Sequence, residues 1–160
     1  MKKLNMKWKY FLTFMLIMLI YYLPSFFIKI DKEYYNNLKG LKLPPIVFII
    51  VWAFLFIFNS IFVTYHIYNK KNHQNTDGSY NRLIVFMVCN YIFSSAFTLL
   101  FFNFKNLFLS YLTCLFSFVT MLLALMEASL INKKVSLLLI PNTLWSLFAT
   151  VLSIIFYLQN

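Results

Sequence analysis

Five long apolar runs take up most of this 160-residue chain: roughly Tyr10–Ile28, Ile46–Tyr65, Leu83–Phe102, Leu107–Met126 and Val135–Tyr157. Each approaches the about twenty residues that carry a helix across the hydrocarbon core of a bilayer. A soluble domain of this size has too little interior to bury five such segments. Barrel strands are excluded, because they alternate polar and apolar positions over about ten residues. The expectation is an all-α integral membrane protein: a five-helix transmembrane bundle forming one membrane domain over residues 1–160. Nothing between the runs is long enough for a second domain.

Hydrophobic residues make up 62% of the chain and charged residues 11%, with a net charge of +10. On a soluble protein that charge would suggest nucleic acid. Here the lysines stand at the ends of apolar runs, where they anchor helices at anionic headgroups. No nucleic-acid partner is expected, since so buried a chain offers no basic groove. The same lysines set an orientation. Lys2, Lys3, Lys7, Lys9, Lys70, Lys71, Arg82, Lys133 and Lys134 fall on one face, against Lys29, Lys32, Lys39, Lys42 and Lys105 on the other. Positive charge favours the cytoplasm, so the N-terminus is expected inside and the C-terminus outside. Met1 to Leu23 has the outline of a signal peptide. Its exit, Tyr21-Tyr22-Leu23-Pro24-Ser25, lacks a small-x-small cleavage site, and it is read as an uncleaved first helix.

The longest connection, Lys29 to Pro45, closes with Pro44-Pro45, which suits the first turn of the next helix. A polar second loop is expected from Asn69 to Asn81, with a turn at Asp77-Gly78. The third loop spans about Asn103 to Asn106 and the fourth about Glu127 to Lys134. No internal repeat is visible, which argues against an inverted-repeat transporter. Both glycines, Gly40 and Gly78, lie in loops, leaving no GxxxG contact. In the fourth run Ser110, Thr113, Ser117, Thr120, Ala124 and Ala128 recur at three- and four-residue steps. This small-residue stripe reads as a packing face with no site of its own. Glu127 is expected to reach the interface beside Lys133 and Lys134. Cys89 and Cys114 fall inside membrane runs and read as packing residues.

Three runs carry a polar and aromatic face. Trp52, Phe56 and Asn59 share one side of the second. Asn90, Phe93, Ser94 and Phe97 share one side of the third, and Asn142, Trp145, Ser146, Ala149 and Ser153 one side of the fifth. An asparagine amide in hydrocarbon is costly unless paired, so these faces should turn inward. They either enclose an apolar cavity suited to a flat hydrophobic ligand, or tie helices together while the tryptophans fill volume. Trp8, near the start of the first run, reads as an interfacial anchor. Other chemistry is poorly supplied. The runs hold no Asp, Lys or Arg for an ion-coupled relay. His66 and His73 are badly placed to clamp a haem. No nucleophile–base or paired-carboxylate cluster exists.

Several segments together resemble a known family. They are Pro44-Pro45 followed by Val51-Trp52-Ala53-Phe54-Leu55-Phe56, then Asn90-Tyr91-Ile92-Phe93 leading to Phe101-Phe102. The most specific is Leu137-Leu138-Leu139-Ile140-Pro141-Asn142-Thr143-Leu144-Trp145-Ser146-Leu147-Phe148-Ala149-Thr150. The chain resembles the TspO/MBR family, the tryptophan-rich sensory proteins of bacteria and the translocator, or peripheral benzodiazepine-receptor, proteins of mitochondria. It looks most like the Bacillus-type members. The resemblance implies a multi-pass protein of the bacterial cytoplasmic membrane, a homodimer, with a pocket under the first loop. It implies binding of protoporphyrin IX, with haem as a further ligand, and of isoquinoline- or benzodiazepine-type molecules, with no cofactor required. The pocket positions carried over are Trp52, Phe56, Asn90, Trp145 and Ala149, to which the inward faces add Phe97 and Asn142. The implied role is a membrane receptor or sensor. The alternatives are a carrier, or an enzyme that degrades porphyrin in light through Trp52 and Trp145. Three features depart from the family pattern. Ile46-Val47-Phe48 stand where a Gly-Trp pair is usual, and Phe93 where a tryptophan is common. The ending Phe156-Tyr157-Leu158-Gln159-Asn160 has no basic residue, so cholesterol recognition is not expected.

Overall fold

The computed structural model describes residues 2–70 and 77–160. Much of the expected second loop, with Lys71 and His73, therefore lies outside the described residues. The helices are α1 (Lys2–Tyr22), α2 (Lys32–Asn37), α3 (Pro45–Asn69), α4 (Asp77–Thr98), α5 (Leu107–Ile131), α6 (Lys133–Ser136) and α7 (Ile140–Gln159). Five spans are long and apolar enough to cross a membrane: Met6–Phe27, Pro45–Asn69, Gly78–Asn103, Leu107–Ile131 and Lys133–Gln159. All five expected helices are present; the last four spans overrun their apolar runs, while the first begins earlier than its run and ends one residue short of it, at Phe27. Hydropathy marks where lipid begins, whereas a helix continues until its backbone is capped or broken.

Proline and asparagine set the breaks. Pro24 has no N–H, so the carbonyl of Ile20 loses its helical donor. Tyr91 Oη donates to that carbonyl at 2.8 Å, and the chain tightens into a 3₁₀ turn over Leu23–Phe27. Pro141 similarly separates α7 from a 3₁₀ turn at Leu137–Leu139. The end of α4 widens into a π turn over Leu99–Asn103. Lys105 then takes a left-handed φ of 52°, and Asn106 caps α5 by accepting the Leu109 N–H at 3.0 Å. This short reversal makes α4 and α5 antiparallel neighbours, as the third loop led one to expect.

Three loop expectations are corrected. The first connection contains α2, whose N-cap Asp31 accepts the Tyr34 N–H at 2.9 Å. Asp77-Gly78 opens α4 instead of turning a loop; aspartate also suits a helix start. The fourth loop shrinks to Asn132, which ends α5 and caps α6 through the N–H groups of Lys134 and Val135. Because α5 runs on to Ile131, Glu127 stays within the helix and faces α4. It pairs with Arg82, at 2.6 Å from Nε and 3.1 Å from Nη2, and not with Lys133 or Lys134.

Helix α5 lies between α4 and α7, with α1 against α3. The small-residue stripe makes that central position feasible. Ser110, Ser117, Ala124 and Ala128 are buried, with Thr113 and Thr120 on its flank. Two apolar clusters divide the bundle. One joins Phe62, Leu83, Met87, Met121, Ala124, Ala128 and Leu139. The other joins Tyr35 and Leu38 of α2 to Phe101, Leu152 and Phe156. Leu12, Leu16 and Leu19 of α1 remain exposed, an outward apolar face suited to lipid.

Candidate functional site

Four helices meet around a cavity in the half of the bundle beneath α2. Trp52 enters about two turns into α3. Ser94 and Phe97 come from the last turns of α4, Cys114 and Ser117 from the early turns of α5. Asn142, Trp145, Ser146 and Ala149 come from α7. The enclosed space between these side chains is about 20 Å³, room for roughly one water molecule. Phe48 meets Trp145 edge-on at 5.8 Å, and Phe148 lies 5.4 Å from the same indole. These rings fix Trp145 beside the cavity. Trp52 is braced by Phe56 at 5.5 Å.

Five of the seven expected site residues thus line one cavity: Trp52, Phe97, Asn142, Trp145 and Ala149. Phe56 and Asn90 stand behind it. Phe56 packs between α3 and α1, 4.8 Å from Tyr22 and 5.7 Å from Tyr21. Asn90 is 3% exposed. Its amide donates to the Ser117 carbonyl at 2.8 Å and to Ser117 Oγ at 3.0 Å. Ser117 Oγ also bonds Ser94 Oγ at 2.8 Å, so Asn90 positions two lining residues. Asn59 is buried away from the lining, and its Oδ1 has no hydrogen-bond partner among the described residues. Phe93 stacks on Phe116 at 5.3 Å.

Two lining residues escaped the sequence reading. Cys114 and Ser117 belong to the α5 surface taken there as packing alone. Cys114 Sγ accepts a hydrogen bond from Ser153 Oγ at 3.4 Å, which places Ser153 behind the wall. The available signal was the three-residue step from Cys114 to Ser117, which puts both on the polar side of α5. Trp8 is 58% exposed and contacts Phe11, away from the cavity.

The cover over this half of the bundle is tied down at three points. The Asp31 carboxylate meets Lys105 Nζ at 2.9 Å. Tyr35 is buried among Phe48, Phe101, Phe102 and Phe156, and its hydroxyl donates to the Leu43 carbonyl and accepts the Leu43 N–H, both at 3.0 Å. Asn160 accepts the Lys39 N–H at 2.8 Å and donates to the Lys39 carbonyl at 3.0 Å. Between these ties Gly40 takes a φ of +116° and lies against α7. The Tyr34 N–H, and after it the Lys105 ammonium, hold the Asp31 carboxyl below its ordinary pKa. Burial pushes the Tyr35 phenol up.

No acid, base or charged group lines the cavity. Among the described residues no three His, Cys, Asp or Glu side chains gather as for a metal ion. The arrangement offers flat aromatic walls and a few uncharged polar groups, which suits binding an apolar molecule in a chosen orientation.

Comparison with known proteins agrees with this architecture. The model of the TspO/MBR family matches residues 11–158. The chain is 36% identical to the tryptophan-rich protein TspO of Bacillus cereus over 159 residues, covering 97% of this chain and 99% of that protein. It is 29% identical to the uncharacterized membrane protein YtaB of Bacillus subtilis, over 88% of this chain and 89% of that one. Matched along nearly its whole length, and carrying five helices long enough to span a bilayer, this chain is a multi-pass membrane protein that belongs to the TspO/MBR family.

Proposed function

We propose that the cavity receives a flat hydrophobic ligand of the tetrapyrrole kind, protoporphyrin IX or haem, and that the protein acts as a membrane receptor or sensor for it. The observation that carries this reading is the pairing of Trp52 and Trp145, from two different helices, on one cavity without charge. Indoles give stacking surface, and the uncharged lining suits an apolar body. Isoquinoline- and benzodiazepine-type molecules have the same character and belong to the same proposal. A macrocycle is larger than the space present, so its entry requires the α2 cover or the surrounding rings to move. No resident cofactor is invoked.

The proposed setting is the bacterial cytoplasmic membrane, N-terminus inside, with the protein as a homodimer through membrane helices. The small face of α5 is already used within the protomer, so the pairing surface is another helix face. The test of the ligand reading is titration of the purified protein with protoporphyrin, haem and a sterol side by side. Saturable binding of the tetrapyrroles and none of the sterol supports it; sterol alone overturns it. Light-dependent loss of protoporphyrin absorbance, abolished without Trp52 and Trp145, would assign degradation instead. Flux into sealed vesicles would assign carriage.

A further inference from the structure

We infer that the corner of the bundle where the first and third spans end is a binding surface for a phospholipid with a negatively charged headgroup. The first span ends at Phe27 and the third at Asn103. Asn103 Nδ2 reaches the Phe27 carbonyl at 3.5 Å, so the two ends stand side by side at the edge of the hydrocarbon. Three rings face outward there: Phe26 is 79% exposed, Phe27 68% and Phe104 72%. They are the most exposed aromatic side chains among the described residues. Held in water, that much apolar surface is costly. At the boundary between headgroups and acyl chains the same rings are in their preferred setting.

The charge of the corner selects the headgroup. Lys29 follows Phe27 by two residues, and Lys105 follows Asn103 by two. Lys29 is exposed and joins no ion pair among the described residues. Lys105 Nζ meets Asp31 at 2.9 Å and lies 5.2 Å from the Tyr34 ring centre, with its side chain half exposed. Asp31 also accepts the Tyr34 N–H, so its carboxylate keeps a partner when Lys105 turns to a headgroup. At this end of the bundle five lysines, Lys29, Lys32, Lys39, Lys42 and Lys105, meet two acids, Asp31 and Glu33. That imbalance attracts an anion. A soluble anion would use the lysines and leave the rings in water. An anionic phospholipid satisfies both, with its phosphate beside the ammonium groups and its chains along Phe26, Phe27 and Phe104. A zwitterionic headgroup carries its own cation and gains less.

The test uses the full-length protein in nanodiscs of phosphatidylcholine and phosphatidylglycerol, mixed in equal amounts with identical acyl chains. A photoreactive phenylalanine analogue replaces Phe104, or Phe54, an exposed ring within the second span, and lipid adducts are counted by mass spectrometry. At position 104 phosphatidylglycerol adducts should exceed phosphatidylcholine adducts about fivefold, the effect of one lysine at an anionic surface. At position 54 the two lipids should react equally. Lys29→Gln should lower the preference at 104 and Lys29→Arg should restore it. Lys133→Gln with Lys134→Gln, at the opposite end, should leave it unchanged. Inorganic phosphate, matched against chloride for ionic strength, should also leave it unchanged; phosphate that abolishes the preference would make this a site for the free anion and overturn the lipid reading. The ratio at 104 against that at 54 decides the matter within the parent background, even where a lysine variant loosens the cover. Equal ratios at both positions overturn the inference. So does a preference that survives the loss of Lys29 and Lys105 together, and so does adduct formation at 104 chiefly with a second copy of the chain.

Discussion

Asn90 binds α4 to α5, holding Ser117 by both its carbonyl and its hydroxyl. Replacing it with alanine removes both bonds and leaves the Ser117 groups short of a donor, at a cost of about 1–3 kcal/mol. Asn90→Ala should therefore lower the unfolding temperature in detergent, with weaker ligand binding as a consequence. Unchanged unfolding together with lost binding would make Asn90 a ligand contact instead. Gly40 has a different role. At φ +116° an added Cβ is strained, and it would lie 2.9 Å from Gln159 Oε1 and 3.3 Å from Ile155 and Phe156. Gly40→Ala should loosen the cover at a cost of about 1–3 kcal/mol, read as faster proteolysis between Lys29 and Pro45. Equal proteolysis in parent and variant would contradict that account. At this scale the sequence was informative where a residue's own helix decided its direction. The spacing of Asn142, Trp145 and Ala149 places all three on one face of α7 and in the cavity. Phe56 and Asn90 were placed one layer too far in. Whether a side chain reaches a cavity or stops at a neighbour depends on Tyr21, Tyr22 and Ser117 of adjacent helices, which spacing within one helix does not report.

The elements were legible as apolar lengths and obscure at their ends. Hydropathy falls at Met126, yet α5 continues to Ile131, because Glu127 is satisfied by Arg82 and the backbone is first capped at Asn132. The pair has good bidentate geometry but stands at the surface, so Glu127→Gln should cost at most about 1 kcal/mol, measurable by unfolding at low and high salt. Helix α2 is too short to leave a period in the sequence; its signal was Asp31 with Glu33 in the first turn. Asp31 also makes the cover sensitive to acid. Its folded pKa is lowered, so its contribution is present above the ordinary aspartate pKa of about 4 and is lost as pH falls through the folded value. Hydrogen exchange over residues 31–43 should rise in strong acid relative to neutral pH. Asp31→Asn should exchange faster at neutral pH and lose that dependence. A parent protein whose exchange protection is the same in acid would contradict the tie.

For the whole molecule, the five-span architecture follows from the lack of interior in a chain of this length, and the family match agrees with it. The lysine asymmetry adds an orientation. A reporter active only in the cytoplasm, fused at the C-terminus, should be silent, and its activity would reverse the topology. The cavity was less legible than the bundle, because it arises where α5 turns Cys114 and Ser117 toward Trp52 and Trp145, a product of packing between helices. The central claim is that these two indoles form the walls of a ligand site. The measurement is fluorescence-quenching titration with protoporphyrin of Trp52→Ala, Trp145→Ala and the control Trp8→Ala, each checked for folding. Stacking on an aromatic side chain is worth about 1–3 kcal/mol in the nucleic-acid case, and about 1.4 kcal/mol is tenfold in affinity. Each cavity variant should bind roughly tenfold more weakly, phenylalanine at either position should retain more binding than alanine, and Trp8→Ala should match the parent. If Trp52→Ala and Trp145→Ala both bind protoporphyrin as the parent does, the cavity is not the site.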